Sequence, residues 1–189
     1  MDASIAGMNP APNLAFIGPM GAGKTTLGKR VAALLGLRFV DVDQHLEQLT
    51  GARVPLIFEC EGEAGFRARE AALIAQLCGE HGLLIATGGG AVLDPQNRLR
   101  LRESAFVVHL QLDVDAQLAR LARDRSRPLL ATGDRRGKLL ALAEQRDPLY
   151  AQIADLVHPA GSGRPDVAAR RLAPLLAQHW QRSRHDAAA

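Results

Sequence analysis

The sequence has little cysteine, and its two cysteines show no pattern that builds a site. Cys60 and Cys78 are separated by 17 residues, with no C-x-x-C motif and no histidine cluster beside either one. This spacing excludes a zinc knuckle and a disulfide scaffold. We therefore expect both cysteines to be small, buried, apolar residues. The six histidines also lack the spacing of metal ligands.

Long hydrophobic runs are missing as well. The first apolar run covers residues 14–17, which is far too short for a membrane span or for the hydrophobic part of a signal peptide. The N-terminus carries Asp2 in place of a basic stretch. These features predict a cytoplasmic protein that has no membrane partner.

Neither sign of charge is in large excess. Lysine and arginine number 23 against 20 acidic residues, and a surplus of three is too small for a protein that coats nucleic acid or binds membranes through a polybasic surface. A hydrophobic fraction of 47% is too high for a disordered chain. The length of 189 residues predicts one globular domain, which we expect to be a monomer with small-molecule partners and no nucleic-acid partner.

Strand-length apolar runs alternate with segments of helical spacing. Helical spacing of apolar residues is clearest between the runs at residues 14–17 and 38–42 and directly after the run at residues 106–110. This alternation predicts a three-layer α/β/α domain around a doubly wound, five-stranded parallel sheet. The predicted strands cover residues 14–17, 38–42, 83–86, 106–110 and 155–157.

Composition also predicts where the domain begins and ends. Residues 1–13 combine small residues with two prolines and show no periodicity, so we expect a flexible extension there. The domain is predicted over residues 14–180, with a closing helix over 166–180. A flexible tail then covers residues 181–189.

Two segments depart from simple alternation of strand and helix. Residues 43–79 are interrupted at Gly51, Pro55 and Gly62, which predicts a small helical cap beside the sheet. Residues 120–138 have almost no apolar periodicity and carry six arginines and one lysine against two aspartates. We expect this second segment to be a mobile lid that closes on a polyphosphate.

A phosphate-binding motif lies between the first predicted strand and the first predicted helix. Residues 18–25 read GPMGAGKT, which matches G-x-x-x-x-G-K-[ST] in the strand and helix context that the motif requires. Backbone N–H groups that no side chain obstructs wrap a nucleotide phosphate at the positive end of the helix. Lys24 then reaches the β- and γ-phosphates, and the Thr25 hydroxyl is placed for Mg²⁺. The predicted ATP-binding residues here are Gly21, Ala22, Gly23, Lys24, Thr25 and Thr26.

Two carboxylates follow at the end of the second predicted strand. Because alternation along a strand places Asp41 and Asp43 on one side, both are expected at the ligand-binding edge of the sheet. One would support the metal's hydration shell, and the other would accept a proton from an attacking hydroxyl or bind it. The alternative for Asp43 is that it only caps the next helix.

Three consecutive glycines end the third predicted strand. Gly88, Gly89 and Gly90 allow a small ligand to approach the main chain closely. Many proteins with this phosphate-binding motif carry an aspartate on that strand, but residues 83–86 contain no carboxylate. The metal must therefore be held by the Thr25 hydroxyl, by Asp41 acting through a water molecule, and by further water molecules.

Six ordered motifs together resemble the shikimate kinases, a family of small-molecule kinases with a phosphate-binding P-loop. The motifs are GPMGAGKTT, FVDVD, IFECEGEAGFRAREA, TGGGAV, RPLL and RDPLY, and they extend over nearly the whole chain. The resemblance implies transfer of the γ-phosphoryl group of ATP to the 3-hydroxyl of shikimate, with Mg²⁺ as cofactor. A gluconate kinase or another small-molecule kinase of the same architecture is the nearer alternative, and a noncatalytic nucleotide-binding regulator is the more distant one.

The resemblance also implies roles for individual residues. Lys24, Asp43 and Arg127 are the expected catalytic residues, and Arg127 would move onto the phosphates with the lid. Arg120 is expected to stack on adenine, with Pro165 on the opposite side. A guanidinium is the natural partner of a carboxylate, as expected for the arginines that hold shikimate. The expected substrate-binding residues are Asp43, Phe58, Phe66, Arg67, Glu70, Gly88, Gly89, Gly90 and Arg146, with Glu70 orienting Arg67.

Overall fold

A computed structural model describes residues 9–122, 133–161 and 163–181 of the chain. Its main sheet has five strands, which lie side by side in the order Arg38–Asp41, Leu83–Ala86, Asn13–Ile17, Ala105–Gln111 and Leu156–Pro159, and every neighbouring pair is parallel. This confirms the predicted five-stranded parallel sheet. Numbered along the chain, the strands of this sheet are β2 (Asn13–Ile17), β3 (Arg38–Asp41), β4 (Leu83–Ala86), β5 (Ala105–Gln111) and β6 (Leu156–Pro159). Two further strands, β1 (Asn9–Pro10) and β7 (Trp180–Gln181), form a separate pair.

Helices connect the strands and cover both faces of the sheet. None of the helices in the described ranges is long and apolar enough to cross a membrane. A short 3-10 turn over Ala91–Leu93 follows the three glycines. The helices are α1 (Lys24–Leu35), α2 (Val42–Thr50), α3 (Val54–Cys78), α4 (Pro95–Ser104), α5 (Val114–Leu121), α6 (Arg135–Ile153) and α7 (Pro165–His179).

The alternating side chains of β2 divide the core into two layers. Leu14 and Phe16 pack on the side of α1 and α7, whereas Ala15 and Ile17 pack on the side of α3, α4 and α6. All four side chains are fully buried, because a central parallel strand has helices on both of its faces. The carboxyl ends of the strands therefore form one edge on which ligands can bind.

The two ends of the described chain pair with each other. β1 pairs in parallel with β7, and the Trp180 indole donates a 2.8 Å hydrogen bond to the Ala11 carbonyl. The predicted flexible extension over residues 1–13 is therefore wrong for residues 9–13, since Asn13 already belongs to β2. The predicted flexible tail over 181–189 is wrong for Gln181, which belongs to β7. Residues 1–8 and 182–189 lie outside the described residues.

The predicted cap consists of α2 and a long α3 that is kinked at Gly62. Gly62 has φ 70° and ψ −179°, a conformation that only glycine adopts readily. Gly51 ends α2 and Gly62 kinks α3 at two of the predicted interruptions, whereas Pro55 does not interrupt a helix but lies in the first turn of α3. The prediction for Cys60 is wrong, since that residue is exposed on the first half of α3, while Cys78 is half-buried.

The predicted lid over residues 120–138 is bounded by regular structure. Arg120 still belongs to α5, and α6 begins at Arg135 with the Asp134 carboxylate accepting a hydrogen bond from the Gly137 amide. Both ends of the predicted mobile segment are therefore helical. Residues 123–132, which include Arg127, lie outside the described residues.

Candidate active site

The P-loop connects β2 to the first turn of α1. Gly23 is the N-cap of α1 with φ 90°, and as a glycine it places no capping side chain on the first amides of the helix. The helix terminus is thus open to an anion. The Lys24 ammonium lies across the loop and donates hydrogen bonds of 2.6 and 2.8 Å to the Gly18 and Pro19 carbonyls.

Thr25 and Asp41 connect the P-loop to the strand beside it. The Thr25 hydroxyl donates a 2.6 Å hydrogen bond to Asp41 Oδ2. Asp41 Oδ1 accepts the Gln44 amide at 3.1 Å and caps α2. The structure thus brings together the two predicted metal-site residues, and it gives Asp41 the capping role that the sequence left open for Asp43.

A cavity lies beside the P-loop, between α1, α5 and the segment that precedes α7. It has a volume of about 240 Å³. Arg120 borders it and donates hydrogen bonds to the carbonyls of Gly21, Ala160 and Gly161 at 2.6–3.0 Å. The cavity is also lined by Ala22, Gly23, Thr26, His158 and Pro165.

Arg67 enters the candidate substrate pocket from the second half of α3. Its Nη1 donates to Glu70 Oε2 at 2.6 Å, and its Nη2 donates to Glu63 Oε1 at 3.1 Å. Burial lowers the pKa of Arg67, but Glu70 and Glu63 together outweigh that effect and raise it above the ordinary value. Glu70 is fully buried, and this burial raises the pKa of its carboxyl despite the contact with Arg67. Glu70 thus forms an ion pair with Arg67 one helical turn away, whereas Arg69 pairs with Glu61.

Arg146 enters the same pocket from α6 and is 5% exposed. Among the described residues, no carboxylate lies within ion-pair distance of its guanidinium. Burial lowers the pKa of Arg146, and the neighbouring Arg67 lowers it further. An arginine still remains charged, so this buried cation needs an anionic partner.

The three glycines form the floor of the pocket. A Cβ atom at Gly88 would lie 2.5 Å from Glu70 Oε1, and one at Gly90 would overlap the Arg67 guanidinium. At Gly89 a Cβ atom would lie 3.6 Å from Arg146 Nη1. The side chains of Glu70, Arg67 and Arg146 are therefore packed directly against bare backbone.

The pocket itself is small, at about 70 Å³, and all nine predicted substrate-binding residues line it. The rings of Phe58 and Phe66 face each other with centroids 4.6 Å apart. Asp43 reaches the pocket from the first turn of α2, because β3 ends at Asp41. The argument that both carboxylates share one strand is therefore wrong, although both reach the expected edge. The lining residues are Met20, Asp43, Val54, Phe58, Phe66, Arg67, Glu70, Gly88, Gly89, Gly90 and Arg146.

Some residues of the site were not found by reasoning on the sequence. Glu63 is four residues before Arg67 on a helix, a spacing that could have identified it as a second carboxylate on that arginine. Buried His109 lies on β5 below the P-loop, with its ring centroid 4.9 Å from that of Tyr150, and no local pattern marks it. A larger cavity of about 590 Å³ between α2 and α3 contains neither P-loop nor triple-glycine residues.

A P-loop at the end of a parallel sheet, next to a pocket with buried arginines and a carboxylate, defines a small-molecule kinase of the P-loop class. The family model "Shikimate kinase" matches residues 20–176. The chain belongs to the shikimate kinase family, and the predicted family is confirmed.

Similar proteins span nearly the whole chain. A shikimate kinase of Xanthomonas axonopodis pv. citri is 51% identical over 180 residues, covering 95% of this chain and 100% of that protein. One from Stenotrophomonas maltophilia is 51% identical over 175 residues, covering 93% of this chain and 97% of that one. The solved shikimate kinase of Acinetobacter baumannii in complex with shikimate has a TM-score of 0.86 and 42% identity, covering 89% of this chain and 94% of its own.

Proposed function

We propose that this chain transfers the γ-phosphoryl group of ATP to the 3-hydroxyl of shikimate. The hydroxyl oxygen forms a bond to the γ-phosphorus while the bond between that phosphorus and the bridging oxygen of ADP breaks. The hydroxyl proton leaves for a base, and the products are shikimate 3-phosphate and ADP. Family membership and the arrangement of the pocket both support this reaction.

The observation that carries the proposal is the buried Arg146 guanidinium with no carboxylate within ion-pair distance in the described part of the chain. Arg67 already has two acidic partners, Glu63 and Glu70, which fix its orientation. A substrate carboxylate would supply the ion-pair partner that Arg146 lacks among the described residues. Gly88, Gly89 and Gly90 leave room for the substrate against the backbone, and Phe58 and Phe66 provide an apolar wall for its ring.

Asp43 is the residue that we assign to the reacting hydroxyl. Its carboxylate borders the pocket next to Glu70 and Gly88, at the edge that also carries the P-loop. A carboxylate at this place accepts the hydroxyl proton or aligns the oxygen for attack. In either role Asp43 acts on the acceptor and not on the nucleotide.

The nucleotide would lie along the P-loop, with adenine in the cavity of about 240 Å³ beside Arg120 and Pro165. Lys24 would exchange its hydrogen bonds to the Gly18 and Pro19 carbonyls for bonds to the β- and γ-phosphates. Arg127 on the lid would add positive charge to the phosphates and help to exclude water.

We assign the cofactor Mg²⁺ to the pair formed by Thr25 and Asp41. No group of three His, Cys, Asp or Glu side chains in the described ranges could hold a metal ion. This fits Mg²⁺, which keeps several waters and binds substrate phosphates in place of a protein cage. When bound, Mg²⁺ would neutralise charge on the phosphates, and Asp41 holds the Thr25 hydroxyl in position for it.

We also assign the enzyme to the cytoplasm as a monomer that acts on small molecules and has no nucleic-acid partner. The near balance of charges over the whole sequence favours small-molecule partners. Light scattering of the purified protein tests the monomer, and a dimer at micromolar concentration would contradict it.

An ADP-release assay with separate acceptors tests the reaction. Shikimate is expected to raise ATP turnover by several orders of magnitude above the rate without acceptor. Gluconate and nucleoside monophosphates should leave that rate unchanged. Turnover that rises with gluconate but not with shikimate would favour the alternative kinase, and ATP binding without turnover on any acceptor would favour a noncatalytic regulator.

A further inference from the structure

Tyr150 lies behind the substrate pocket and holds part of its floor. It is 1% exposed and lies on α6, one helical turn after Arg146. Its hydroxyl donates a 2.5 Å hydrogen bond to the Gly89 carbonyl, 61 residues away in the chain. Tyr150 lines a separate small cavity below the P-loop and is not among the residues that line the substrate pocket. It therefore contacts Gly89 from the side of the glycine segment that faces away from the pocket.

This hydrogen bond determines the direction of the next amide. Peptide bonds in the described chain are trans, so the Gly90 N–H points opposite to the Gly89 carbonyl. With the carbonyl held by Tyr150 behind the floor, the Gly90 N–H faces the substrate pocket. It donates to no acceptor among the described residues, and Gly90 itself lines that pocket beside Arg67.

The tyrosine is itself fixed from two other sides. Its ring stacks against His109, with centroids 4.9 Å apart and planes tilted by 31°. The Arg146 guanidinium is its electrostatic neighbour on the same face of α6. Burial raises the pKa of Tyr150 well above its ordinary value, so the hydroxyl keeps its proton and remains a donor. One side chain thus contacts both the glycine floor and the helix turn that carries Arg146.

We propose that Tyr150 is a positioning residue for the acid end of the substrate. Its hydroxyl holds the Gly89 carbonyl and thereby presents the Gly90 N–H to a carboxylate that also binds Arg146. The inference rests on the proposed function, because it takes the carboxylate of shikimate as the ligand. It adds a residue that acts through the backbone without touching substrate.

Tyr150→Phe tests this role, since it removes one oxygen atom and leaves the ring packed against His109. We expect the KM for shikimate to rise roughly tenfold, as for the loss of one charge-assisted hydrogen bond. The KM for ATP should stay within about twofold and kcat within about threefold of wild type. Calorimetric titration of shikimate into both proteins should give the same roughly tenfold loss in affinity without any turnover.

An acceptor that lacks the carboxylate shows whether Tyr150→Phe weakens binding of the carboxylate in particular or disturbs the packing of the pocket in general. With a shikimate analogue that carries a hydroxymethyl group in place of the carboxylate, Tyr150→Phe should have nearly wild-type kcat/KM. Ile153→Val is the matched control, because Ile153 is buried on the same helix and is not bonded to Gly89. This control should leave the KM for shikimate unchanged.

Equal losses on both acceptors, or an unchanged affinity for shikimate, would overturn the role of Tyr150. Either result would leave the proposed function intact, provided that the wild-type enzyme phosphorylates shikimate. If the wild-type enzyme does not phosphorylate shikimate, the proposed function itself fails. The experiment therefore distinguishes the two failures.

Discussion

Thr25 Oγ1 and Asp41 Oδ2, sixteen positions apart in the chain, are joined by a hydrogen bond of 2.6 Å. Through this bond the first turn of α1 contacts the residue that ends β3 and caps α2. The nucleotide side and the acceptor side of the site therefore meet at one carboxylate. A change at Asp41 is expected to affect both.

Asp41→Asn should raise the Mg²⁺ concentration needed for half-maximal activity by about tenfold, because the amide holds the Thr25 hydroxyl more weakly. The measurement is a titration of activity with Mg²⁺ at saturating ATP. Asp94→Asn is the matched control, since Asp94 caps α4 through the Gln96 amide and has no link to Thr25. A similar shift in both variants would assign the effect to helix capping.

Arg67→Lys should raise the KM for shikimate by roughly a hundredfold and leave the KM for ATP within about twofold. A lysine cannot contact Glu63, Glu70 and a substrate carboxylate together in the fixed geometry of a guanidinium. Steady-state kinetics with each substrate varied in turn provide the measurement.

Arg69→Lys is the control for that substitution. Arg69 has the same chemistry two residues further on, but it is exposed and pairs with Glu61. We expect wild-type kinetics from this variant. Equal increases in both KM values for Arg67→Lys would contradict its assignment to the acceptor.

Asp43→Asn should lower kcat by about a hundredfold or more, because an amide cannot accept the hydroxyl proton. The Kd for ATP, measured by fluorescence or calorimetry, should remain near the wild-type value, since Asp43 borders the acceptor pocket. A near-normal kcat would show that Asp43 only binds the hydroxyl or supports α2.

Local patterns in the sequence predicted the features that depend on neighbouring residues. The P-loop, the triple glycine and the pair formed by Arg67 and Glu70 could be identified because each is a short motif or a single helical turn. The bond between Tyr150 and Gly89 could not, since it joins positions 61 apart through the fold. Asp43 was assigned to the correct edge of the sheet, but on the wrong premise that it lies on the same strand as Asp41. The exact end of that strand depends on the residue that caps the next helix, here Asp41.

His109 is expected to make the stability of the protein depend on pH. Burial, with a smaller effect of Lys24, lowers the pKa of His109 from 6.5 to about 4. Between those values the unfolded chain binds a proton that the folded chain does not. Stability present above pH 6.5 is therefore lost as the pH falls toward 4, by roughly 3 kcal/mol for this one group.

Urea unfolding at several pH values between 4 and 7 tests this expectation. His109→Gln cannot take up the proton and should flatten the fall in unfolding free energy over this range. His158→Gln is the comparison, because His158 is only half-buried and should contribute less. The same pH slope in wild type and His109→Gln would show that other groups cause the acid sensitivity.

The pairing of β1 with β7 has a practical consequence for attaching the enzyme to a support. It joins the two ends of the described chain just before β2 begins, whereas the P-loop follows the other end of that strand. A strand of five residues spans about 17 Å, so the β1–β7 pair stands off from the ligand edge by about that distance. Attachment to a support on the side of the β1–β7 pair should thus leave the nucleotide and acceptor pockets facing the solution.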